Sequence, residues 1–76
     1  MLRLKYEVHG TRDNQVFYDI VYAVSNPDPD PHAAPLLVTA FGKTISIWSF
    51  GQAYRKIRDL YEANGVQDVK VSDSRI

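Results

Sequence analysis

Two histidines, His9 and His32, and the alternating run Asp28, Asp30, His32 are the side chains best suited to acid–base chemistry or metal ligation. Alternate residues of an extended segment point the same way, so this run can turn two carboxylates and an imidazole to one side. A zinc centre takes three or four ligands. A calcium loop of the EF type needs a central glycine and a distal glutamate, and this run has neither. Asp28, Asp30 and His32 are therefore expected to be solvated turn residues. His9 has no second histidine at ligand spacing and is expected to face solvent. No metal and no cofactor is expected.

Nucleophile chemistry finds no motif. The chain has no cysteine, no G-x-S-x-G and no serine with an evident histidine partner. Gly10, Gly42, Gly51 and Gly65 are scattered rather than gathered into a phosphate-cradling loop. Gly51 near a helix start leaves backbone N–H groups that an anion can use, but a cap competes for them. Glu7 and Asp19 are a candidate carboxylate pair across a hairpin, with no spacing that argues a catalytic pair. The expectation is a protein that is not an enzyme.

Positive charge gathers at Arg55, Lys56 and Arg58, with Lys43 in a separate turn. These four are candidates for electrostatic contact with phosphates. Asp59 and Glu62 dilute them, as on an ordinary solvated helix face.

The elements that must position these groups follow from pattern. The chain has 76 residues and a formal charge of +0, enough for a single domain over residues 1–76 with no electrostatic bias toward nucleic acid or an anionic membrane. Zero net charge also weakens self-repulsion. A domain this small buries roughly 60% of its unfolded surface, so nearly every apolar residue is needed inside. Charges interrupt the first residues where an export signal would be apolar, and no run approaches the ~20 residues of a membrane span. A cytoplasmic location is expected.

Leu2, Leu4, Tyr6 and Val8 alternate with Arg3, Lys5, Glu7 and His9, the period of a half-buried strand. Residues 10–14 read as a turn. Residues 15–25 alternate again, with Val16, Tyr18, Ile20, Tyr22 and Val24 on one side. All four prolines fall in residues 26–35, a semi-rigid loop that is neither helix nor central strand. Residues 36–48 read as a hairpin turning at Gly42-Lys43 in a type II′ turn. That register pairs Val38 with Ile47 and gathers Leu36, Val38, Ala40, Ile45 and Ile47 on one face.

Ser49 and Gln52 make a capping box, and Trp48 with Ala53 a hydrophobic staple. Ala53, Tyr54, Ile57, Leu60 and Tyr61 form the apolar stripe of a helix. Gly65 ends it as the left-handed residue of a Schellman motif, with Val66 against Tyr61. Residues 68–72 alternate as a final strand. The fold class expected is α+β. It has two layers: a mainly antiparallel sheet of four to five strands, in the order β-β-β-β-α-β, with one helix on one face.

One helix covers one face. If Ile45 and Ile47 lie under it, Phe17, Val21, Leu37, Phe41 and Trp48 are expected on the other, forming an uncovered apolar surface of the kind that binds protein. The function expected is a non-catalytic protein–protein interaction module whose partner is a host protein complex or a second copy in a homodimer. One concrete form is a small phage or mobile-element inhibitor of a host nucleoprotein machine, in the manner of anti-CRISPR proteins. The alternative is a nucleic-acid-binding accessory protein using Lys43, Arg55, Lys56 and Arg58.

Overall fold

A computed structural model describes residues 3–25 and 35–73. Five strands and one helix follow in the order β1 (Arg3–Arg12), β2 (Gln15–Ser25), β3 (Leu36–Ala40), β4 (Lys43–Ile47), α1 (Phe50–Glu62) and β5 (Gln67–Asp73). The sheet order is β4-β3-β2-β1-β5. Every neighbouring pair is antiparallel. The expected α+β architecture is therefore present. The proline loop, with Asp28, Asp30 and His32, and Leu2 lie outside the described residues.

β1 runs through Gly10 to Arg12, and the turn shrinks to Asp13-Asn14, both at positive φ (53° and 61°). That is a two-residue turn with the twist a hairpin needs, built from the two non-glycine types that enter the left-handed region most readily. Gly10 is a strand residue for a different reason from turning. A Cβ there would meet the Gln67 carbonyl oxygen at 2.6 Å and Val66 Cγ1 at 2.7 Å. The β1–β5 register slips between His9 and Thr11, and the missing side chain lets the chain after α1 approach at this bulge.

The second hairpin turns at Phe41-Gly42, at φ 53° and 72°, not at Gly42-Lys43. Ala40 pairs with Lys43 and Val38 with Ile45, a shift of two residues from the sequence register. A shift of two keeps every side chain on its face, so Val38 and Ile47 are still buried, with Leu36, Ala40 and Ile45 packed against them. Phe41 sits in the left-handed region at some steric cost. Its ring lies 5.0 Å from that of Tyr61, a contact that offsets part of the cost.

α1 is held at both ends, with one departure from the expected capping box: the Gln52 side chain reaches the N–H of Trp48, not that of Ser49. Ser49 Oγ accepts from the Gln52 N–H at 3.2 Å, and Gln52 Oε1 accepts from the Trp48 N–H at 2.9 Å. Trp48 stays 63% exposed while Ala53 is buried, so the expected staple does not bury the indole. At the other end the Val66 N–H donates to the Tyr61 carbonyl and the Gly65 N–H to that of Glu62, each at 3.1 Å, which is the Schellman pattern. Ala53, Ile57, Leu60 and Tyr61 are buried. Tyr6, Val8, Val21, Ala23, Val38 and Ile47 meet the helix from the sheet.

Candidate interaction face

The β1–β2 register decides which residues the helix leaves uncovered. Arg12 opposite Gln15 sets Tyr6 opposite Val21 and Leu4 opposite Ala23. Opposed residues of an antiparallel pair share a face. With Tyr6 under the helix, Val21 and Ala23 go under it too, and both are buried. Phe17 follows them, half-buried, with its ring 5.8 Å from that of Tyr61.

This overturns part of the expected surface. Phe17 and Val21 belong to the core side, and Phe41 contacts Tyr61 there from the hairpin tip. Leu37 pairs with Val24 and Ser46 on the helix-free side and is half-buried, and Trp48 is exposed just beyond β4. The alternation in residues 15–25 was legible, but its sense was not. Asp19 looks like an outward residue, yet it lies on the helix side, where its carboxylate accepts from the Tyr61 hydroxyl at 2.6 Å and from the Ile20 N–H at 2.9 Å. The missed signal was Asp13-Asn14. A two-residue turn there sets Tyr6 against Val21 by arithmetic alone.

The uncovered face is therefore centred on β2. Val16, Tyr18, Ile20, Tyr22 and Val24 form its ridge, with Leu37 alongside. Val16 is 89% exposed and Tyr18 51%. β1 flanks the ridge with Arg3, Lys5, Glu7 and His9. The Arg3 guanidinium carbon stands 3.9 Å from the centroid of the Tyr22 ring, a cation–π contact. The Tyr18 hydroxyl donates to Glu7 Oε1 at 2.7 Å, and its ring meets that of His9 edge-on with centroids 4.8 Å apart. The bond to Glu7 is the main cause that raises the Tyr18 pKa. His9 is exposed, as its place on the polar side of β1 implied. On the far flank Thr39 and Thr44 share a hydroxyl–hydroxyl bond of 2.9 Å.

The four basic candidates do not form one patch. Lys56 Nζ donates to the Ser46 carbonyl at 2.8 Å and so ties the helix to β4. Arg55 and Arg58 point toward β5, where with Gly51, Tyr54, Val69 and Val71 they line an open groove of about 320 Å³. Arg58 lies 3.6 Å from both Asp59 and Glu62. Lys43 starts β4 beside the hairpin turn. Among the described residues no group of three or more histidine, aspartate or glutamate side chains is placed to hold a metal ion. None of the described helices is long and apolar enough to cross a membrane.

Compared with protein-family models, with curated proteins and with solved structures, the chain matches none.

Proposed function

We propose that this protein is a non-catalytic interaction module that binds another protein through the helix-free face of its sheet. The observation that carries the reading is the β2 ridge. Val16, Tyr18, Ile20 and Tyr22 stand on the side the helix does not cover, with Val16 89% exposed. A chain this short has few apolar side chains to spare from its core. Placing a row of them outside is accounted for by a partner that covers them. Leu37 and Trp48 remain in the proposed surface; Phe17, Val21 and Phe41 leave it. The narrower form is a small inhibitor that covers a site on a host nucleoprotein machine with this face of paired strands. Its setting would be cytoplasmic.

The nucleic-acid reading draws on Arg55 and Arg58 sharing one groove. It is weakened by Lys56 being engaged with Ser46 on the side toward β4.

The test compares immobilised wild type, Ile20→Lys/Tyr22→Lys and Arg55→Glu/Arg58→Glu in a cell extract at low and high salt. Proteins retained by the wild type are expected to be lost with the sheet-face variant and kept with the helix variant. Retention should survive added salt, since phosphate contacts weaken steeply with ionic strength and an apolar face does not. The opposite pattern would refute the reading.

A further inference from the structure

We infer that the free edge of β2 pairs with the same edge of a second copy of this chain, joining two sheets into one across a two-fold axis at Tyr18. The inference rests on the reading of the helix-free face as a binding surface, because Val16, Tyr18 and Ile20 belong to both.

β3 pairs with β2 only at Ala23, Val24 and Ser25. From Gln15 to Tyr22, β2 has β1 on one side and, among the described residues, no strand on the other. The tip of the β3–β4 hairpin does not continue this pairing; it turns to the helix side, where Phe41 meets the ring of Tyr61 beside Phe17 and Asp19. Proteins blunt sheet edges with short strands, lysines, prolines and bulges. The outer strands here use such devices: β4 is short and begins at Lys43, and β5 carries Lys70 and lies across the register shift. The stretch Gln15–Tyr22 has no lysine, no proline and no register shift. Its single charge, Asp19, lies on the helix side, where Oδ2 accepts from Tyr61 and Oδ1 accepts from the Ile20 N–H at this edge, the one blunting contact a second copy must displace.

The complementarity of the edge with itself identifies the occupant. In a two-residue hairpin the pair flanking the turn is hydrogen-bonded and the pattern then alternates. Arg12 with Gln15 is that pair, so the backbone groups of Val16, Tyr18 and Ile20 are directed away from β1. A two-fold at Tyr18 sets Val16 of each copy against Ile20 of the other, apolar against apolar. It sets Asp19 against Phe17, whereas an axis at Asp19 would oppose like charges. The Ile20 N–H, now bonded to Asp19 Oδ1, exchanges that acceptor for the carbonyl of Val16 in the other copy. A formal net charge of +0 adds no long-range repulsion between copies. The two-fold also closes the assembly, so it stops at a dimer.

Sedimentation equilibrium over a concentration series is the test. Wild type is expected to shift from monomer to dimer mass. Val16→Lys, which places a lysine on the edge, should raise the dissociation constant roughly tenfold or more. Tyr18→Pro, which removes one outward N–H, should do the same, with circular dichroism showing both variants folded. The chain has no cysteine, so Tyr18→Cys gives a clean readout. Facing Cα atoms about 5.5 Å apart lie within disulfide range. That variant should cross-link on oxidation, and Lys5→Cys, on the same face but away from the edge, should not. Wild type that stays monomeric throughout overturns the inference and leaves the edge to a strand of another protein. Undiminished dimers of folded Val16→Lys, or equal cross-linking of both cysteine variants, overturn it as well. These results are separate from the extract experiment. A monomer whose retained proteins vanish with Ile20→Lys/Tyr22→Lys keeps the face reading and loses only the dimer.

Discussion

The Tyr61 hydroxyl donates a 2.6 Å hydrogen bond to Asp19 Oδ2, tying the C-terminal part of the helix to the middle of β2. This contact lets an acidic residue occupy the helix side of the sheet. Tyr61→Phe keeps the ring and removes the donor, leaving the carboxylate short of a partner. The expected loss is about 1–3 kcal/mol in denaturant unfolding. A stability equal to wild type would mean that the bond contributes nothing net.

Alkaline pH should act on the same contact. Burial first, and then the bond to Asp19, push the Tyr61 pKa well above the ordinary tyrosine value of about 10. Burial also raises Tyr6, with smaller contributions from Tyr54 and Asp73. A folded pKa above the unfolded one gives stability that is complete below the unfolded value and lost as pH climbs toward the folded value. Unfolding free energy is therefore expected to hold up to about pH 10 and fall above it. Ultraviolet titration should show tyrosines that ionise only as the protein unfolds. In Tyr61→Phe the decline should be shallower.

Gly10→Ala tests the close approach at the bulge. The added Cβ would meet backbone, the Gln67 carbonyl oxygen at 2.6 Å, as well as Val66 Cγ1. Backbone cannot rotate aside as a side-chain tip can, so a cost of about 1–3 kcal/mol is expected in thermal or denaturant unfolding. An unchanged midpoint would show that β1 and β5 separate there freely.

Gly65→Val tests the helix stop. Gly65 has φ 90°, and a β-branched residue there should cost about 1–2 kcal/mol. The same reasoning runs against packing at Phe41, at φ 53°. Phe41→Asn relieves strain of about 1 kcal/mol but forfeits the Tyr61 contact, worth about 0.5–1.5 kcal/mol, and the burial of a ring that is 40% exposed. Packing is expected to win by a small margin. In Tyr61→Ala, where the contact is gone, Phe41→Asn should become neutral or stabilising.

The helix, its cap and its stop were legible in the residues, because they rest on contacts within a few positions of chain. Ser49 accepts from the Gln52 N–H, and Tyr61 pairs with Val66 past Gly65, as their spacing implies; the Gln52 side chain alone departs, reaching the Trp48 N–H. The apolar face of the second hairpin is legible in sequence although the turn falls at Phe41-Gly42, one residue before Gly42-Lys43, since a two-residue shift in pairing leaves faces unchanged. The sense of β2 was not legible from alternation. Both of its faces carry large apolar residues, so only pairing with Tyr6 decides which face is buried.

Alternation, capping residues and composition determine by themselves that this chain makes strands, one amphipathic helix and one thin core, because those depend on neighbours in sequence. Which apolar row becomes the uncovered ridge was decided by tertiary structure. Burial of Phe17 and Val21, and exposure of Val16, follow from a register set by Asp13-Asn14 and a helix that lands on one side only. The same register puts Asp19 on the helix side opposite Val8, and Tyr61, 42 positions away, supplies the hydrogen-bond donor that accommodates it there.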